Sequence, residues 1–327
     1  MSNKTVLSGM RPTGKLHLGH LHGVLENWKN LQKQYSCYFF VADWHSLTSE
    51  YADTVNIKSN IHDMLINWLS IGIDPDRATL FVQSEVKEHS ELYLLLSMIT
   101  PLSWLERVPT YKEQMDNIRD KDLGTYGFLG YPLLQSADIL AYKADCVPVG
   151  IDQVPHIEFT REVARRFNFL YGNVFPEPES LLTDYPKLPG TDGRKMSKSY
   201  NNSIYLSDED AVISKKIKTA MTDPQRVRRN DPGDPDVCPI FAYHKIYSSA
   251  EQRDYVVKGC KTAAIGCIEC KNILTDNILS ELGSYRKKRA ELLENPDHVN
   301  NIIERGNEKA RELAARTLED VREKMKI

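Results

Sequence analysis

Pro12-Thr13-Gly14-Lys15-Leu16-His17-Leu18-Gly19-His20 follows closely on a short apolar run, Thr5 to Ser8, that reads as a buried strand. A glycine turn between a strand and a helix start lets backbone N–H groups and the positive end of a helix approach phosphates, and two imidazoles beside it can donate hydrogen bonds to charge developing there. Far downstream, Lys195-Met196-Ser197-Lys198-Ser199 supplies two lysines on a loop preceded by Gly190, Gly193 and Arg194. Such a loop can close over a triphosphate and neutralise the pyrophosphate as it leaves. Either stretch alone is weak. His17 and His20 at i and i+3 would, in isolation, read as a satisfied helix start, and the lysines as a basic surface turn; together and in this order they read as an adenylation site.

The alternation continues outward from that turn. Cys37 to Asp43, Thr79 to Gln83 and Cys146 to Val149 read as strands, separated by helix-period stretches over Gly19 to Gln34, Val55 to Ser70 and Gln153 to Tyr171. This predicts an α/β, Rossmann-type parallel sheet with its ligand at the carboxyl ends of the strands. Gly150-Ile151-Asp152-Gln153 sits at one such end, where Asp152 can accept hydrogen bonds from ribose hydroxyls or simply cap the helix that follows.

Beyond the Pro/Gly-rich approach Pro186 to Gly193 and the lysine loop the character changes. Ser207-Asp208-Glu209-Asp210 reads as a helix start with acids in its first turn, and Ala310, Leu313, Ala314, Thr317, Leu318, Val321 and Met325 mark one face of a long final helix. The expected organisation is a catalytic domain over 1–205, with a helical insertion around 100–140, and an all-helical C-terminal domain over 206–327. A length of 327 residues agrees with two domains at roughly 150 residues each.

Composition limits the partners. Hydrophobic residues at 41% and charged residues at 27% describe an ordinary soluble protein, and a net charge of −3 excludes a chain coated in basic residues. A local basic stretch holds Lys215, Lys216, Lys218, Arg226, Arg228 and Arg229 against Asp223, and reads either as a solvated face or as an RNA-backbone contact. No apolar window suits a membrane span or a secretory signal, so cytoplasmic residence is expected.

Of six cysteines, Cys37 and Cys146 fall in predicted core strands and read as buried thiols. The other four, Cys238, Cys260, Cys267 and Cys270, lie close together and end in Cys-Ile-Glu-Cys. In a cytosolic chain this clustering reads as a metal site, and the spacing alone fits zinc or an iron-sulfur cluster equally.

Tyr131-Pro132-Leu133-Leu134-Gln135-Ser136-Ala137-Asp138-Ile139-Leu140, Val147-Pro148-Val149-Gly150-Ile151-Asp152-Gln153 and His156-Ile157-Glu158-Phe159-Thr160-Arg161-Glu162, with the two signatures, resemble bacterial tryptophanyl-tRNA synthetases over nearly the whole chain. The resemblance implies a homodimer that activates tryptophan with ATP and Mg²⁺ and passes it to the 2′-hydroxyl of the terminal adenosine of tRNA(Trp). It implies His17, His20, Lys195 and Lys198 in catalysis. ATP would meet Arg11, Pro12, Thr13, Gly19, His20, Gly150, Ile151, Asp152, Leu188, Lys195, Met196, Ser197, Lys198 and Ser199. Asp138 would accept the indole N–H, Tyr131 and Gln153 would hold the amino group, and Gln135 would line the same side. An acceptor among apolar neighbours suits a ring whose only polar group is a donor. A subset of the family carries a four-iron, four-sulfur cluster in the region of the four cysteines, which makes that cluster the first expectation and zinc the alternative. Arg11 and His20 stand where many bacterial relatives carry Gln and Asn, and Gln135 where Met is frequent. Two rival readings remain: a tyrosyl-tRNA synthetase, which shares the fold and both signatures, and a non-catalytic, metal-binding RNA regulator derived from a synthetase.

Overall fold

The structure is a computed structural model that describes residues 4–109, 111, 122–182 and 188–327. In chain order its principal elements are β1 (Thr5–Met10), β2 (Ser36–Val41), α1 (Asp43–Glu50), α2 (Ile57–Ile71), β3 (Ala78–Val82), α3 (Glu88–Ser97), α4 (Tyr131–Ala141), β4 (Cys146–Val149), α5 (Val154–Tyr171), β5 (Glu179–Leu182), α6 (Asp210–Thr219), α7 (Pro239–Tyr247), α8 (Ala250–Lys261), α9 (Cys267–Leu293) and α10 (Pro296–Met325). No helix among the described residues is long and apolar enough to cross a membrane.

The contacts gather into two compact units: Met1–Gly14, Trp28–Asp184 and Asn295–Ile327 form one, Lys15–Asn27 and Tyr185–Glu294 the other. The first unit is built on a five-stranded sheet in the order β3-β2-β1-β4-β5, parallel at every pairing. Val6 pairs with Cys37 on one side and Cys146 on the other, so both cysteines sit in the middle of the sheet. They are buried, as their strand positions predict, and burial pushes the Cys37 thiol up to about 12. Because the chain runs β1, β2, β3 in one direction and then returns to β4 and β5 on the other, the order reverses between β1 and β4. A crevice opens at their carboxyl ends, the usual ligand position of such sheets.

Three departures from the sequence expectation have local causes. β2 stops at Val41 rather than Asp43, because the Asp43 carboxylate accepts the backbone N–H groups of Trp44 and Ser84, both at 3.1 Å, and starts α1. β5 escapes pattern recognition: Glu-Ser-Leu-Leu carries no β-branched residue and is half exposed, and pairing with β4 alone makes it a strand. α6 begins at Asp210, with Glu209 rather than Ser207 at the cap.

The long final helix α10 belongs to the sheet unit. Ala310, Ala314, Leu318 and Val321 are buried in the main core with Leu7, Phe40 and Phe81. Gly306 faces the carbonyl of Leu80 so closely that a Cβ there would lie 1.8 Å from its oxygen. Asn307 Oδ1 accepts the Val82 N–H at 3.0 Å, so the helix covers the outer edge of the sheet and satisfies one of its donors. Of the insertion expected around 100–140, residues 110 and 112–121 lie outside the described residues; the remainder is helical at Leu102–Glu106, Tyr126–Leu129 and α4. In the second unit, beyond residue 206, the chain is helical, as predicted.

Candidate functional site

At the carboxyl ends of β1 and β4 stand segments the sequence singles out. After β1, Arg11, Pro12 and Thr13 turn away through Gly14, whose φ of 109° is a left-handed conformation that favours glycine. Arg11 is largely sequestered: its Nη2 donates to Ser49 Oγ at 2.5 Å, and burial lowers its guanidinium against the opposing pull of Glu50 and Tyr131. After β4, Gly150 leads in extended backbone into a short helical turn, Ile151–Gln153. A Cβ on Gly150 would fall 2.8 Å from Asp152 Oδ1, so glycine lets that carboxylate fold back over the strand end. Gln153 Nε2 donates to Asp152 Oδ2 at 3.3 Å.

Deeper in the same unit α4 presents Asp138, 1% exposed. Its Oδ1 accepts from His89 Nδ1 at 2.6 Å and from Gln83 Nε2 at 2.8 Å, and its Oδ2 accepts from His45 Nε2 at 2.8 Å. Burial alone would push this carboxyl up; the charges and hydrogen bonds of His45 and His89 outweigh it and hold the group below its ordinary value. Asp138 is therefore a carboxylate, an acceptor only, in otherwise apolar surroundings. Beside it Gln135 Oε1 lies 2.6 Å from His156 Nδ1, and the Tyr131 and His156 rings are 5.5 Å apart. Burial, with His45 adding to it and Asp152 opposing it, lowers His156 to about 4. His45, His89, Gln83 and His156 are polar groups that the sequence reading missed. They come from four separate elements, and no spacing in the chain connects them.

The second unit holds the lysine loop together with the histidine part of the first signature, Lys15 to His20. Leu18 N–H donates to Ile204 O at 3.0 Å and Leu206 N–H to Leu16 O at 2.9 Å, so the chain just past the lysine loop pairs with the histidine segment. His17 caps the turn Leu18–His20, its backbone N–H donating to His20 Nδ1 at 3.2 Å. A Cβ on Gly19 would lie 3.0 Å from the His17 ring and 3.7 Å from Met196 Sδ, so the absence of a side chain leaves room for the loop's methionine. Burial first, then Lys198, lowers His17 to about 4, and burial, His17 and Lys198 hold His20 well below its ordinary value.

The loop itself is anchored by Asn202, 2% exposed, which the sequence reading did not name. Its Nδ2 donates to Asp192 Oδ1 at 2.7 Å and to Lys195 O at 3.1 Å, and its Oδ1 accepts the Ser197 N–H at 2.8 Å. Leu188 and Met196 are buried as apolar pins, while burial lowers the Lys198 ammonium to about 8. The side chain of Ser199 and, with residues 183–185 before it, the first two residues of the Pro/Gly-rich approach, 186 and 187, lie outside the described residues.

The four late cysteines come from three helices of this unit: Cys238 caps α7, Cys260 lies in the last turn of α8, and Cys267 and Cys270 open α9. Burial raises the Cys270 thiol to about 12, with Cys238, Cys260 and Cys267 adding to it, so the four sense one another's charge. His244 Nε2 lies 3.2 Å from Cys270 Sγ and Arg226 Nη1 is 3.9 Å from Cys260 Sγ. Among the described residues no three His, Cys, Asp or Glu side chains converge tightly enough for a single metal ion. The four thiols are soft donors by type, and His244 and Arg226 bring N–H groups beside two of them.

Residues 2–283 match the family model described as tRNA synthetases class I (W and Y). The chain is 54% identical over 324 residues to the tryptophan–tRNA ligase of Thermotoga maritima, covering 98% of this chain and 99% of that one. It is 46% identical over 395 aligned residues to that of Ralstonia nicotianae, covering 99% of each. In structure it resembles the tryptophanyl-tRNA synthetase of Campylobacter jejuni solved with ADP and tryptophan, with a TM-score of 0.90 at 33% identity over 99% of this chain and all of that one.

Proposed function

The chain belongs to the class I tRNA synthetases for tryptophan and tyrosine, and from that premise we propose how its own residues carry out tryptophan–tRNA ligation. The activity itself is that of a tryptophan–tRNA ligase. The tyrosine reading shares the fold and both signatures but calls for a partner to a phenolic hydroxyl, and the regulator reading gives no role to a complete adenylation set.

The observation that carries the assignment is the buried Asp138 carboxylate, kept ionised by His45 and His89. An indole offers one donor and nothing else polar, so this acceptor selects it and rejects rings that leave the carboxylate unpaired. Tyr131 and Gln153 hold the amino group, and Gln135 lines the substrate side. Arg11, Pro12, Thr13, Gly150, Ile151 and Asp152 receive the nucleotide at the strand ends, with Asp152 accepting from ribose. The tryptophan carboxylate oxygen attacks the α-phosphorus of ATP, a P–O bond forms, the bond to the bridging oxygen breaks, and pyrophosphate leaves. Neutral His17 and His20 donate hydrogen bonds to the α-phosphate as its charge redistributes, and Lys195 and Lys198 neutralise the leaving pyrophosphate. Gly19, Leu188, Met196, Ser197 and Ser199 shape and close the loop. Mg²⁺ would be carried on the triphosphate oxygens. In the second step the terminal 2′-hydroxyl of tRNA(Trp) attacks the acyl carbon and AMP departs.

The expected division of labour, 1–205 for adenylation and 206–327 toward the tRNA, is narrowed by α10, which belongs to the sheet core: the stretch from α6 to α9 is assigned to the tRNA, with Lys215, Lys218, Arg228 and Arg229 offered to its backbone. Cys238, Cys260, Cys267 and Cys270 would hold a four-iron, four-sulfur cluster that ties α7, α8 and α9 together, while the zinc alternative loses ground to the lack of a tight three-ligand group among the described residues. A homodimer and cytoplasmic residence complete the proposal. The test is ATP–pyrophosphate exchange with tryptophan and, separately, tyrosine; exchange driven by tyrosine, or by neither, would sink it.

A further inference from the structure

We propose that His89, oriented by Tyr142, is a positioning residue that fixes how the Asp138 carboxylate meets the indole and thereby sets discrimination against rings lacking an N–H. This rests on the reading of Asp138 as the indole acceptor and adds to it a residue that never touches substrate.

A carboxylate has no strong torsional preference of its own about its last bond, so its orientation comes from its partners. Asp138 Oδ1 is occupied by two donors, His89 Nδ1 at 2.6 Å and Gln83 Nε2 at 2.8 Å. Oδ2 receives His45 Nε2 at 2.8 Å and, as an oxygen with two lone pairs, has acceptor capacity for a further donor. The two oxygens are thus unequal. Oδ1 is the anchored one, and Oδ2 is the one left for an incoming N–H.

Chemistry also assigns the His89 tautomer. Asp138 can only accept, so His89 Nδ1 must carry its proton. Nε2 lies 2.7 Å from Tyr142 Oη, and burial, with Asp138, Glu88 and Tyr38 adding to it, keeps that phenol protonated far above neutral pH. In either charge state of the ring, with Nε2 accepting from the Tyr142 hydroxyl or donating to its oxygen, Nδ1 is the donor toward Asp138. The ring is 0% exposed and sits among Phe40, Phe81 and Tyr142, with centroids 6.1, 6.1 and 5.4 Å away, so it has one place to go.

The test compares two variants of like polarity that separate the two contacts. In His89→Asn the amide nitrogen falls near the position of Nδ1 and keeps the donor to Asp138; in His89→Gln it falls near Nε2 and keeps only the contact with Tyr142. The measurement is kcat/KM in ATP–pyrophosphate exchange for tryptophan divided by that for the benzothiophene analogue, in which sulfur replaces the N–H, with thermal melting as the control for folding. His89→Gln should lower this ratio about tenfold, the order expected for one hydrogen bond to a buried charge, while His89→Asn holds it within about threefold. Equal ratios in both variants and the unaltered protein, alongside collapse of the ratio in Asp138→Asn, would overturn the role of His89 alone. An unchanged ratio in Asp138→Asn would overturn the reading of Asp138, and this inference with it.

Discussion

The rings of His17 and His20 lie 3.8 Å apart, centroid to centroid, at an interplanar angle of 34°. Two imidazolium ions could not share that space with Lys198, and burial together with that lysine keeps both rings neutral at physiological pH. They meet phosphate as N–H donors, not as cations. Replacing either by Ala should lower the adenylation rate constant by about 100-fold, with the KM for ATP moving far less, because the bonds strengthen only as charge redistributes. Single-turnover adenylate formation separates the two quantities, and equal changes in both would contradict this role.

Lys198 gives the reaction an alkaline limit. Burial lowers its ammonium to about 8, so the cation that meets the triphosphate is present below that pH and lost above it. The kcat/KM for ATP should fall as pH rises through about 8. In Lys198→Arg, whose guanidinium stays charged throughout, that limb should disappear even if the absolute rate is lower. A flat profile to pH values well above 8 in the unaltered protein would be the contrary result.

Lys195 offers a different signature. Its backbone carbonyl is held by Asn202 at 3.1 Å, so truncating the side chain leaves the loop anchored. Lys195→Ala should depress the rate of pyrophosphate exchange by about 100-fold and leave equilibrium tryptophan binding unchanged. Calorimetric titration with tryptophan, run beside the exchange assay, checks both halves.

Cys267→Ser should abolish metal content and any visible charge-transfer absorption in anaerobically purified protein. Tryptophan-dependent exchange should persist, and tRNA charging should fall more. Equal loss of both steps would mean that the thiolate-bound group is needed for the second unit to fold at all. Zinc in a colourless preparation would retain the site and change its occupant.

Gly306→Ala tests the fold rather than the chemistry. Its added carbon would stand 1.8 Å from the Leu80 carbonyl oxygen, a backbone atom that cannot rotate away. The helix must retreat from the strand, with a loss on the order of 3 kcal/mol. Chemical denaturation monitored by circular dichroism reads it directly, and an unchanged midpoint would show that the two elements part easily.

Much of this was legible in the chain, and the reasons differ by residue. Cys146 to Val149 read as a strand because its short apolar run is bounded by polar turn residues, and its pairing with β1 and β5 leaves no room for another assignment. The histidine and lysine signatures announced their partnership by residue type, though the pairing of Leu18 with Ile204 that joins them is invisible until the chain folds. The face of α10 was evident from its spacing, but spacing says only that a face is apolar and not what covers it; here it is the sheet core. Asp138 stood out among apolar neighbours. Its partners His45, Gln83 and His89 did not, because a buried polar network is assembled by tertiary proximity and leaves no local period.

The sheet unit is discontinuous, and the piece that closes its core is the last 33 residues, Asn295–Ile327. A ribosome therefore delivers the sheet unit in instalments. Its strands emerge early, yet Ala310, Leu318 and Val321 reach them only after more than a hundred further residues have been made, so the nascent sheet waits through that interval with an uncovered flank. A premature stop between residues 200 and 309 would spare every residue assigned to nucleotide and tryptophan, and still yield a product that quality control removes.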